Sequence, residues 1–264
     1  MATPRRGTLI KNITESGIEP LTTLISPVRR CVSREVYAFR TIRQVNSLQL
    51  GVVRPVQYRN VCDRTLQSIR LAISDLRSVI RLSQKLDADE VQYDWITTYI
   101  PIKLMQRKDA AAKLEEALQK EGLSNPSKIC LEFLSDALFD DLDRISAALR
   151  DFKALGFKTA ITAYGDEFCP VSRLFGLPVD VCMFIPSVSQ KAETPSGNRL
   201  ASQLTAFVRS NDCEPVVCVA GKMPSAAKPD VYAKAGFSGF TSFEDDDGEW
   251  LTYEDFRARQ TEGL

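Results

Sequence analysis

The chain has 264 residues, 44% hydrophobic and 26% charged, with basic and acidic residues in equal number. That composition suits a folded domain with a sizeable core and excludes a disordered chain. It contains no histidine, which removes every mechanism built on an imidazole base, and its seven cysteines include no C-x-x-C pair. Cys130 and Cys218 lie inside apolar runs, so the thiols read as reduced core residues and zinc is disfavoured.

No apolar run approaches the roughly 20 residues of a membrane span. The opening MATPRRGTLIKN lacks the apolar centre of a signal peptide. The expected location is therefore cytoplasmic, with no membrane partner. Residues 1–18 read as an N-terminal extension. PLTTLISPV and REVYAFRTI then supply two strand candidates.

Lys and Arg outnumber Asp and Glu over residues 1–85, leaving the remainder acidic. Arg29, Arg30, Arg34, Arg40, Arg43, Arg54 and Arg59 could meet phosphate or an acidic partner. The favoured reading is a solvated helix face together with salt bridges to the acidic C-terminal stretch FEDDDGEWLTYED. Between residues 62 and 86, Leu66, Ile69, Ala72, Ile73, Leu76, Val79 and Ile80 recur at three- and four-residue spacing, which predicts a long amphipathic helix.

From residue 90 onward strands and helices alternate. WITTYIPI (95–102) predicts a strand, and KDAAAKLEEALQKEG predicts a helix stopped by Gly122. KICLEFL (128–134) is almost continuously apolar, as in a sheet covered on both faces. In the following helix Leu142, Ile145, Leu149, Phe152 and Leu155 form the apolar stripe and Gly156 the stop. FKTAITA, VDVCMFI, EPVVCVA and GFSGFTS repeat the strand signal, with helices expected around 198–211 and 226–235. Eight strands, mostly alternating with helices, predict an α/β fold of the TIM-type (β/α)8 barrel class, with an open doubly wound sheet, which shares the same local pattern, as the alternative. No linker divides the chain, so residues 19–264 read as one domain, with about the last 12 residues peripheral.

The motifs of nucleotide and acyl chemistry are missing. Around Gly221 and Lys222 the first glycine of a phosphate loop is absent and Met223 replaces its hydroxyl residue; no G-x-S-x-G or G-x-G-x-x-G occurs. The strand ends, where a barrel carries its catalytic groups, offer Glu132, then Thr162 and Ala163, Phe184 and Ile185, Val219 and Ala220.

The stretch from Lys128 to Pro186 resembles the heart of an EAL domain, the cyclic di-GMP phosphodiesterase family. Leu131 and Glu132 match its L-E-L-T-E strand, Gly156 its turn, Gly165 the glycine of D-D-F-G, and Leu177 to Asp180 its L-P-V-D. More loosely, ISPV (25–28) resembles the Y-Q-P-I opening, with Ser26 for the glutamine. Ala38-Phe39-Arg40 stands at the name-giving triplet. Against that pattern the paired aspartates fall on Thr162 and Ala163, the lysine and aspartate of K-I-D on Met183 and Ile185, and the T-E on Leu134 and Ser135. YIPIKL takes the place of V-N-L-S, and two further glutamates fall on Val219 and Lys222. Glu132 alone remains of the metal ligands.

The resemblance therefore implies a degenerate, non-enzymatic EAL-like barrel with no catalytic residue, cofactor or metal. Two-metal hydrolysis needs several carboxylates to hold the cations and activate water. The implied role is a regulatory protein-interaction domain in bacterial signalling, linked to motility or cyclic di-GMP. Its expected contact surfaces are the loop Ala163 to Pro178, which carries Asp166, Glu167, Phe168 and Arg173, and the basic N-terminal face. A protein partner is expected, and a homodimer is compatible with the pattern. The lost ligands argue against cyclic di-GMP. The alternative is a receptor that binds this dinucleotide without hydrolysis, with Arg40 and Arg43 as phosphate contacts. Nucleic acid is disfavoured, because the arginines are not interleaved with stacking aromatics.

Overall fold

Only five residues, Cys31 to Glu35, join the first two strands, too few for the crossover that parallel pairing requires. β1 (Leu21–Arg30) and β2 (Val36–Ser47) accordingly form an antiparallel hairpin, with Leu24 opposite Ile42 and Val28 opposite Ala38. The computed structural model describes residues 21–47, 51–62, 67–166, 169–244 and 248–261. In chain order the hairpin is followed by β3 (Gly51–Val53), α1 (Pro55–Cys62), α2 (Gln67–Ala88), β4 (Trp95–Tyr99), α3 (Ile102–Met105) and α4 (Ala110–Glu121). Next come β5 (Ile129–Leu134), α5 (Leu142–Ala154), β6 (Lys158–Tyr164), β7 (Val181–Phe184), α6 (Pro186–Lys191) and α7 (Pro195–Arg209). The chain ends with β8 (Glu214–Val219), α8 (Pro229–Lys234), β9 (Gly239–Ser242) and α9 (Tyr253–Thr261).

β2, β4, β5, β6, β7, β8 and β9 pair in parallel, each with the next. β1 lies antiparallel to both β2 and β9 and closes the ring. The result is a closed eight-stranded barrel, with β3 a short antiparallel addition to β2. All eight expected strands are present; the antiparallel β1 is the departure from a uniform β/α repeat. β4 stops at Tyr99, short of the expected Ile102, because Pro101 gives up the backbone donor and opens α3. Leu66 of the expected long helix lies outside the described residues.

Alternation along the strands separates two cores. Leu131 and Phe133 of β5, Ile161 of β6 and Val217 of β8 face outward against Leu76, Ile80, Leu114, Leu149 and Phe152 of the helices. Ala38, Cys130, Ala160, Met183, Val216 and Cys218 point into the barrel, where Trp95 fills one layer edge-on to Tyr37. Helix ends follow local chemistry. The Asp141 carboxylate accepts from the Asp143 and Arg144 amides at 3.1 and 3.3 Å, and Gly122 closes α4 in the left-handed conformation, φ 67°.

The C-terminal stretch differs from expectation. Phe256 of α9 stacks edge-on against Phe39 at 5.0 Å, and Tyr253 is buried with it. Leu251 forms a bridge with Ile25 of β1. These residues cover the hairpin's outer face, which has no crossover helix of its own, so α9 belongs to the core. No helix among the described residues is long and apolar enough to cross a membrane.

Candidate functional site

Because Ala38 points inward, the residue two further along β2 does so as well, and that residue is Arg40. Its guanidinium is 2% exposed at the C-terminal mouth of the barrel. Arg40 Nε donates to both carboxylate oxygens of Glu132, at 3.0 and 3.1 Å, and Nη2 makes a further short contact with the same group. Nη2 also donates to Glu244 Oε1 at 2.7 Å and to Thr162 Oγ1 at 3.1 Å. Arg59 then holds the far side of Glu244 at 2.8 and 3.1 Å, its guanidinium lying 4.0 Å above the Tyr99 ring. The chain of charges runs Glu132, Arg40, Glu244, Arg59: two cations and two anions, with Glu132, Arg40 and Arg59 buried and Glu244 partly so.

Ion pairs removed from water hold together only when nearly every donor and acceptor is engaged. Burial acts to lower the Arg40 pKa, but Glu132 and then Glu244 outweigh it and the guanidinium is held more firmly protonated than usual. Burial likewise pushes the Glu244 carboxyl up, and the Arg59 and Arg40 charges bring it below its ordinary value. The two glutamates are thus neutralised by arginines of the same chain.

Around this network the strand ends are neutral. Thr162 accepts from Arg40, Met183 belongs to the inner apolar layer, Val219 packs outward and Lys222 is exposed. Ala163 sits in the left-handed region, φ 56°, its carbonyl accepting from Ser135 Oγ at 2.8 Å. Among the described residues no three His, Cys, Asp or Glu side chains come together as a metal-binding group would require.

The two arginines offered as phosphate contacts in the receptor alternative part company. Arg43 stands at an odd position of β2 and faces outward to α2, with Nε 2.8 Å from Asp75 and Nη2 donating to Ser78 Oγ at 2.5 Å. Both Arg40 and Arg43 are committed to protein acceptors. Beside Arg59 and Asp75 lies a cavity of about 20 Å³, bounded also by Tyr58 and Thr98. It has room for a single water and none for a nucleotide. Burial pushes the Asp75 carboxyl up to about 6 against the opposing charges of Arg43 and Arg59.

Other arginines of the basic N-terminal part also meet acids. Arg29 forms a two-bond pair with Glu249 at 2.7 and 3.2 Å, Arg30 reaches Glu214 and Asp94, and Arg34 reaches Asp230. The acidic C-terminal stretch supplies two of the partners, Glu244 and Glu249. In the expected contact loop Asp166 is exposed, whereas Arg173 is half-buried with Nη1 donating to the Leu138 carbonyl at 2.5 Å. Glu167 and Phe168 lie outside the described residues. Arg59 is among the arginines expected to meet phosphate or an acidic partner, whereas Glu244 and Tyr99 carry no individual expectation from the sequence. Arg40 lies in a predicted strand, and an arginine that turns inward there demands buried carboxylates. Glu244 lies in the acidic stretch expected to pair with the arginines, but local sequence does not say which carboxylate meets which arginine.

Fold and site together define a closed β/α barrel with an antiparallel first strand and a charged network at its C-terminal mouth. The chain belongs to the EAL domain family, whose model matches residues 21–219. No curated protein matches it. Among solved structures, the PaMucR phosphodiesterase in complex with c-di-GMP is similar at 15% identity and TM-score 0.79, over 96% of this chain and all of that one. An EAL domain protein from Listeria monocytogenes EGD-e is similar at 13% identity and TM-score 0.78, over 98% and 99%. The FimX EAL domain from Pseudomonas aeruginosa bound to c-di-GMP is similar at 15% identity and TM-score 0.74, over 91% and 95%. At these identities the likeness is one of fold.

Proposed function

We propose that this chain is a non-hydrolysing EAL domain that acts as a regulatory protein-interaction domain in cyclic di-GMP-linked signalling. One observation carries the reading: the Arg40 guanidinium lies between Glu132 and Glu244 where phosphodiester hydrolysis would need free carboxylates. Metal-assisted hydrolysis uses cations to lower the pKa of water and neutralise charge on the transferring phosphoryl group. Here the donor set does not fit a divalent cation. Glu132 and Glu244 are each neutralised by arginine, and the neighbouring strand ends bear Thr162, Ala163, Met183 and Val219. A divalent ion entering beside Arg40 would meet a fixed positive charge in a medium that screens poorly.

A second reading, binding of cyclic di-GMP without cleavage, draws support from relatives of the same fold solved with that dinucleotide. It is disfavoured because the arginines nearest the mouth already carry protein carboxylates. Titration calorimetry of the full chain with cyclic di-GMP, with and without magnesium, alongside chromatography of the nucleotide, separates the cases. The expected result is no cleavage and no saturable heat. Saturable binding without product would move the assignment to a receptor, and magnesium-dependent product would overturn both readings.

A further inference from the structure

Two phenylalanines stand in solvent at the C-terminal ends of β5 and β6: Phe139 is 59% exposed and Phe175 is 75% exposed. Each belongs to a short 3-10 segment or its end, Ser135–Phe139 and Val171–Leu174. The segments are fastened to one another. Arg173 Nη1 donates to the carbonyl of Leu138, the residue before Phe139, and Ser135 Oγ donates to the Ala163 carbonyl at the end of β6. Leu138 and Leu174, next to the two rings, are fully buried anchors. Hydrogen bonds thus join the two segments beside both rings, and apolar groups carried on such a fixed backbone lose little freedom when covered.

The frame around them is acidic. Asp136, Asp141 and Asp143 are exposed on the Phe139 side and Asp166 on the loop that leads to Phe175. Within residues 135–144 the single cation is Arg144, and the Arg173 guanidinium donates to Leu138. Exposed aromatic anchors inside a charged rim are the composition of a protein-binding surface. The sign of the rim selects the occupant: nucleic acid and anionic lipid are repelled, and a second copy would bring the same aspartates face to face.

We infer that this surface docks a basic segment of a partner protein, one that sets large apolar side chains on Phe139 and Phe175 and lysines or arginines against the flanking aspartates. The inference rests on the regulatory reading above and names the chemistry of its partner.

A fluorescent leucine–lysine peptide and its leucine–glutamate counterpart, titrated by anisotropy into the full chain, test it. The lysine peptide is expected to bind at least about tenfold more tightly than the glutamate peptide, and F139S/F175S to weaken it by about tenfold or more. A charge variant, D136N/D143N, should weaken it less and flatten its salt dependence. Circular dichroism checks that the variants keep the fold. Equal affinity for the two peptides, or undiminished binding by F139S/F175S, overturns the inference. So does sedimentation of the wild type as a dimer that F139S/F175S disperses, because the occupant would then be a second copy. Cleavage of cyclic di-GMP by the same preparations would sink the regulatory reading instead, leaving the peptide result to stand on its own.

Discussion

Arg40 is an arginine at a barrel-interior position, and its burial explains why acids from distant parts of the chain converge on it. Arg40→Ala leaves Glu132 buried without a cation and Glu244 with Arg59 alone. Breaking a buried pair in this way costs about 3–5 kcal/mol, which guanidinium unfolding would measure. Arg40→Met combined with Glu132→Gln should be less destabilised than the sum of the single variants, because the two groups act as a pair. The same network sets the acid limb of the stability profile. Glu244 has its carboxyl held below the ordinary 4.5, with burial opposing and Arg59 and Arg40 prevailing. Its contribution is therefore fully present above pH 4.5 and is lost as the pH falls through the lower native value. Unfolding curves across that range should fall toward acid in the wild type and more gently in Glu244→Gln. In the sequence, Arg40 was visible as an arginine in a strand, but its face depended on a register that only the folded sheet fixes.

At the scale of elements, α9 deserved more weight than its sequence invited. Its charged string YEDFRARQT shows almost no apolar stripe, yet Phe256 and Tyr253 seal the outer face of the β1–β2 hairpin. Phe256→Ala should cost about 3–5 kcal/mol, as expected for a buried aromatic truncated in a core; a thermal melt of the variant is the direct check. A shift no larger than that of a surface substitution would return α9 to the periphery. The helices with clear three- and four-residue spacing, α2, α4 and α5, were legible because each buries one stripe against the barrel. α9 was not, since two anchoring side chains, Tyr253 and Phe256, leave no periodic signal.

For the whole molecule, strand pairing is thinnest on the two flanks of the hairpin, where β1 meets β9 and β2 meets β4 over two register pairs each. β9 and β1 pair at Arg29 with Phe240 and at Arg30 with Gly239, and Thr241 Oγ1 donates to the Pro27 carbonyl at 3.2 Å. A Cβ at Gly239 would lie 2.5 Å from the Tyr37 hydroxyl and 3.0 Å from the Arg29 carbonyl. The Tyr37 ring cannot readily yield, because Arg30 stacks on it at 3.4 Å and its hydroxyl donates to Glu214 at 3.0 Å. Gly239→Ala is expected to destabilise by about 1–3 kcal/mol through overpacking. Hydrogen exchange should show amides of β1 and β9 losing protection before those of β5 and β6. Uniform loss around the ring would mean the β1–β9 junction is no weaker than the β5–β6 pair.

The sequence by itself determined the eight strands, the principal helices, the absence of imidazole chemistry and the thinning of carboxylates at the strand ends, because these follow from local periodicity and residue type. Tertiary structure decided what Arg40 touches. Arg40 and Glu244 are 204 residues apart, and barrel closure brings them within hydrogen-bonding distance. Such a pairing leaves no trace in local spacing, as its partners are chosen by the order of strands around a ring.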